Sequence, residues 1–160
     1  FRQERPDVIL IEGQGALSHP AFSSTAFILR GACPNGVVLQ HAPGRTSRCD
    51  FAHLAMPTPA SEINLIETFS ETKVIGVTIN HENMSEAEVS AAIVRYENEL
   101  GLPTTDALGG SSKRLIEMVL LAFPDLTSAD RVKAELAAPK PENSALVAPK
   151  IVENTPPVAA

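Results

Sequence analysis

Apolar residues fall in short runs along this chain, separated by polar, turn-forming stretches. Val8-Ile9-Leu10-Ile11 is four consecutive branched residues that stop at Glu12 and a Gly13-Gln14-Gly15 turn. An unbroken run of this kind reads as a strand buried on both faces, the pattern of a parallel sheet covered by helices. Gly36 to His41 and Lys73 to Asn80 repeat it and are read as the second and third strands. Between them the spacing turns helical. Ala21 to Leu29 is apolar with Ser23 or Ser24 as cap, and Ser61 to Phe69 carries apolar residues at helical intervals with Ser61 as N-cap. Ser85-Glu86-Ala87-Glu88 is a capping box opening a helix that runs to Leu100 and stops at Gly101. Leu102 to Asp106 reads as a short extended piece. Gly109-Gly110-Ser111-Ser112 leads into a helix over Lys113 to Phe123, ended by Pro124.

The order strand, helix, strand, helix, strand, helix, short strand, helix predicts an α/β fold with parallel pairing and right-handed crossovers. The α/β domain is expected over 1–128. Phe1 to Arg5 reads as the end of a helix that precedes it. The stretch 129–160, and above all the Pro- and Ala-rich part from Pro139, reads as a disordered tail. The chain opens at Phe1 rather than Met, as expected of a processed chain or part of a longer one.

Parallel strands end on one edge, where open α/β sheets bind ligands. That edge is expected to gather Glu12, Gln40, His41, Asn80 and His81, with Ser18, His19, Arg45 and Arg48 from the following loops. Glu12 suits a general base, or a carboxylate holding Mg²⁺ through a water; otherwise it simply ends a strand before a tight turn. His19 and His41 suit proton transfer, or a structural imidazole. Arg45 and Arg48, three apart in a Gly/Ser/Thr loop, suit a carboxylate or phosphate ligand; the alternative is a surface pair with Asp50. Cys49-x-x-x-His53 offers two metal ligands on one helical face but has no second pair at zinc spacing. Gly109-Gly110 before a helix is read as a plain cap rather than an anion cradle.

Composition narrows the field. The 160 residues carry a net charge of −6 and no Lys/Arg run, so nucleic acid is not an expected partner. No apolar run is long enough to span a membrane, and no signal-peptide pattern opens the chain. Two cysteines without a CxxC suit a cytoplasmic protein, with a single Cys33–Cys49 bridge as the alternative. Tryptophan is absent. No GxxxxGK[ST] phosphate loop and no dinucleotide fingerprint occur, so NAD is not expected; Gly31 and Gly36 match the loop's glycine spacing by accident.

Asp7 to Pro20, with its Glu-Gly-Gln-Gly-(x)3-His-Pro stretch, His41-Ala-Pro-Gly-Arg45 and Val74 to Asn80 together resemble a bacterial P-loop family, long of unknown function. Its characterised members resemble the D-glutamate N-acetyltransferase. The likeness runs from about Pro6 to Phe123. It implies an N-terminal Rossmann-like domain followed by a P-loop NTPase-like domain similar to dethiobiotin synthetase. This chain corresponds to the second half of the latter, a parallel sheet flanked by helices lacking the N-terminal phosphate loop. An epimerase/dehydratase label borne by some members finds no support here.

The resemblance implies an amino-acid N-acetyltransferase with acetyl-CoA as co-substrate and D-glutamate or a related D-amino acid as acceptor. In that reading Glu12, His19 and His41 are the catalytic candidates. Ser18, Arg45, Arg48, Asn80 and His81 hold substrate, with Asn80 or His41 donating to the oxyanion. Glu12 matches the Mg²⁺-holding Glu of the dethiobiotin-synthetase relatives, so Mg²⁺ is an optional cofactor. A homo-oligomer is expected from the family type. The alternatives are an ATP- and Mg²⁺-dependent ligase or kinase acting on a small carboxylate, and a non-catalytic assembly domain.

Overall fold

A computed structural model describes residues 6–127; the expectations for the first five residues and for the tail lie outside them. The elements are α1 (Ser24–Ala32), β1 (Val37–His41), β2 (Ser47–Arg48), β3 (Phe51–Ala55), α2 (Pro59–Ser70), β4 (Val74–Ile79), α3 (Glu86–Leu100), β5 (Thr104–Asp106) and α4 (Ser112–Ala122), with a 3₁₀ turn over Pro124–Thr127. β1, β4 and β5 form a parallel sheet in the order β1-β4-β5. The expected parallel α/β architecture is therefore present.

The sheet's register sets which side chains meet which helix. Leu39 pairs with Val77 and His41 with Ile79, so these four share one face. On it Val77 and Ile79 pack against Ala92 and Tyr96 of α3. Leu39 packs against Leu29 of α1 and Ile66 of α2. A register shift between Val37 and Val38 brings Val74 into this second cluster. The opposite face carries Gly76, where an added Cβ would stand 2.7 Å from Sδ of the fully buried Met118 of α4. Only glycine lets α4 settle that close to β4.

Helix boundaries follow local chemistry. Ser85 and Glu88 form the predicted capping box, and Gly101 ends α3 at φ +66. Ser111 caps α4 by accepting from the Lys113 N–H, as expected. α2 starts earlier than predicted. Thr58, not Ser61, is its N-cap, and Pro59 occupies the first turn, where a missing N–H costs nothing. α1 starts after Ser23, whose side chain makes no capping bond. Ser24 Oγ and Thr25 Oγ1 reach back to the carbonyl of Gln14 instead.

Three expectations are corrected. Val8–Ile11 forms no strand. Residues 8–14 have no regular structure and all four apolar side chains are exposed, Leu10 at 88%. Branched residues favour an extended backbone, but a strand needs a neighbour's N–H and C=O groups, and no described strand pairs with this one. The loop read over Ala42–Asp50 contains half of a hairpin: β2 and β3 pair antiparallel around Cys49-Asp50, with Asp50 at φ +61. Cys49 and His53 therefore do not share a helical face. Both cysteines are free and exposed.

Candidate functional site

The carboxyl ends of β1, β4 and β5 lie side by side, and the Asn80 N–H donates to the His41 carbonyl at 2.8 Å, extending the ladder past β4. His41, Asn80, His81 and Asp106 sit on this edge because the parallel register puts them there. Three groups of side chains surround it.

His41 is buried. Pro57 O can only accept, so Nε2 donates to it at 3.0 Å, and the Tyr96 hydroxyl donates to Nδ1 at 2.8 Å. Both ring nitrogens are engaged in the neutral form. Burial pushes the His41 pKa below that of a free histidine, against a raising contribution from the Pro57 hydrogen bond; burial likewise raises the Tyr96 hydroxyl.

Ser18, His19 and Arg48 form the second group. The Ser18 hydroxyl donates to Glu62 Oε1, its N–H approaches Oε2 at 3.4 Å, and Arg48 Nη1 donates to Ser18 Oγ at 2.7 Å. Glu62, on α2, is buried. This network ties the 16–20 loop to α2 and the hairpin. His19 ties them further. It accepts from the Ala21 N–H at Nδ1 (3.2 Å), donates from Nε2 to the Cys49 carbonyl (3.0 Å) and stacks on Phe22 at 4.4 Å between centroids.

The third group is the most open. His81 Nδ1 meets Asp106 Oδ2 at 2.7 Å, with the imidazole 40% and the carboxylate 11% exposed. Asp106 Oδ1 accepts the Leu108 N–H at 2.9 Å. Burial works against the Asp106 anion, but the Leu108 and Gly109 N–H groups, with the His81 hydrogen bond and charge, outweigh it and hold the carboxyl below its ordinary range. Beside this pair, Arg45 Nε donates to Glu82 Oε2 at 2.8 Å and Nη2 reaches the same oxygen. Gly44 permits that approach, since a Cβ there would stand 2.6 Å from the Glu82 carbonyl. The Asn80 amide oxygen accepts the Glu82 N–H at 3.1 Å.

Glu12 takes no part in these groups. It is exposed, in the irregular 8–14 segment, and does not end a strand. Among the described residues no three His, Cys, Asp or Glu side chains gather as a metal site. Glu12, the residue from which Mg²⁺ is expected, is thus an exposed carboxylate outside the three groups. Glu62, Tyr96 and Asp106 are participants that sequence reasoning did not name. The only signal for Asp106 was its place at the end of the short extended piece.

Residues 1–116 match the profile of a family described as a domain of unknown function, DUF1611, C-terminal P-loop domain. This chain belongs to the DUF1611 family. Among curated relatives it is similar to a D-glutamate N-acetyltransferase of a Pseudoalteromonas species, 31% identical over 105 residues, covering 62% of this chain and 32% of that protein. A D-glutamate N-acetyltransferase of Tritonibacter scottomollicae is 28% identical over 115 residues, covering 68% and 34%. The chain thus spans about a third of the length of the curated relatives it matches. The crystal structure of a DUF1611 family protein from Anabaena variabilis superposes with a TM-score of 0.65 at 31% identity, covering 69% of this chain and 34% of that one. Among the described residues of this DUF1611 domain no helix is long and apolar enough to cross a membrane.

Proposed function

We propose that this DUF1611 domain contributes to the active site of an N-acetyltransferase that moves acetyl from acetyl-CoA to the amino group of D-glutamate or a related D-amino acid. The observation that carries the reading is the 31% identity over 105 residues to a protein named D-glutamate N-acetyltransferase. The edge offers the groups that acyl transfer requires: a carboxylate-binding cation, a donor for the oxyanion and a proton acceptor. Arg45 is the carboxylate binder. It spends both contacts on one Glu82 oxygen and is partly exposed, so a substrate carboxylate can take over that place. Asn80 is the oxyanion donor, because its amide oxygen is occupied by Glu82 N–H and its NH₂ group is left to donate. Ser18, His19, Arg48 and His41 hold the walls, each already bonded within the protein.

The P-loop description of the family supports a second reading, ATP-dependent activation of a small carboxylate. One experiment separates the two. The full-length protein is given D-glutamate with acetyl-CoA carrying a labelled acetyl group, and in parallel D-glutamate with ATP. Labelled N-acetylglutamate without ADP supports acetyl transfer. ADP formed with the carboxylate, and no labelled product, transfers the assignment to the ligase or kinase class.

A further inference from the structure

We infer that His81 is the proton acceptor of this site and that Asp106 is its positioning residue. The inference deepens the acetyl-transfer reading and rests on it.

The chain has four histidines, and their hydrogen bonds sort them. His19 and His41 have both ring nitrogens engaged by the protein. His53 makes an edge contact with Phe51 at 6.0 Å between centroids and has no acid partner among the described residues. His81 alone presents one nitrogen to a carboxylate and leaves the other, Nε2, without a partner among the described residues on a partly exposed ring. An acidic partner on Nδ1–H fixes the tautomer in which Nε2 bears the lone pair, and it stabilises the imidazolium formed on proton uptake.

The backbone is built around that pair. Asp106 is the last residue of β5, and the turn after it points N–H groups of Leu108 and Gly109 at its carboxylate. A Cβ on Gly109 would stand 2.6 Å from Asp106 Oδ2, and one on Gly110 would collide with the Asp106 carbonyl. Two consecutive glycines therefore let the turn close over Asp106. Asn80, the proposed oxyanion donor, immediately precedes His81. Asp106 of β5 pairs with the ring, and Glu82, which follows His81 in the chain, pairs with Arg45 from the loop after β1.

The step balances as follows. Nε2 of His81 takes one proton from the substrate ammonium. The free amine attacks the thioester carbon, the C–N bond forms and the C–S bond breaks. The departing thiolate sulfur and solvent receive the two protons that nitrogen has lost.

The test uses the full-length protein, as wild type, His81→Gln and Asp106→Asn. Acetyl transfer is followed from pH 5.5 to 9 by thiol release. Histidine carbethoxylation by diethyl pyrocarbonate is mapped by mass spectrometry on the same samples. His81→Gln is expected to lower kcat at least 100-fold and remove the acid limb of the pH profile, with KM for acetyl-CoA within threefold. Asp106→Asn keeps the shape but its amide NH₂ donates to Nδ1, selecting the tautomer without an Nε2 lone pair. It is expected to lower kcat at least 30-fold and slow His81 carbethoxylation. A His81→Gln enzyme within threefold of wild type, or one that keeps the acid limb, overturns the inference. If wild type releases no thiol, the acetyl-transfer reading falls. The carbethoxylation map then decides the pair by itself: His81 reacting faster than His19 and His41, and slower in Asp106→Asn, sustains it, and His81 no faster than those two overturns it.

Discussion

His41 is useful to the fold as a neutral ring. Burial disfavours its charged form, and its two partners suit one tautomer. Its folded pKa lies below that of the unfolded chain, so its stabilising contribution is full above about pH 6.5 and is lost as the pH falls from there through the lower folded value. Thermal melts from pH 8 to pH 5 are expected to show Tm falling over that range. His41→Asn, less stable at pH 8, is expected to show a smaller fall; an equal fall in both proteins would contradict the assignment. Arg45→Ala removes the proposed carboxylate binder and is expected to raise KM for the amino acid about tenfold, with kcat within threefold, in initial-rate measurements. These residues were visible in the sequence as candidates. Their partners were not, because Tyr96, Glu62 and Asp106 are separated from His41, Ser18 and His81 by 55, 44 and 25 residues. Spacing along a chain carries no information on contacts of that range until the sheet register is known.

At the scale of elements, local signals were read well and pairing signals less so. The α3 capping box and its terminal glycine are contained within a few residues, and both are present as read. α2 starts before the expected Ser61 because Pro59 fills the first helical turn and Thr58 caps it. The hairpin of β2 and β3 was missed because two short strands with a register shift leave no alternation to detect. Val8–Ile11 shows the converse. Its pattern is that of a buried strand, yet burial depends on neighbours that the pattern does not specify. Met118 of α4 packs closely on Gly76 of β4, where a Cβ would stand 2.7 Å from its sulfur. Met118→Ala is expected to cost about 2–5 kcal/mol in urea unfolding. Gly76→Ala is expected to be less damaging in that background than in wild type, because the added methyl then meets a cavity rather than sulfur. Additive costs would show that the two positions do not share one space.

The described residues form a parallel α/β DUF1611 domain whose three-stranded sheet brings two histidines, an asparagine and an aspartate to one edge. That convergence needs only the strand order and direction, which is why the place of His41, Asn80 and His81 on the edge is legible in the sequence before any side-chain contact is. Glu12 was the exception, since its placement depended on the strand that does not form. The most direct test of the account is hydrogen exchange on the full-length protein with and without acetyl-CoA and D-glutamate. Slower exchange is expected in peptides covering residues 41–46, 79–84 and 106–111, the three loops at the carboxyl edge. Protection confined to other segments, with these three unchanged, would contradict the placement of the site.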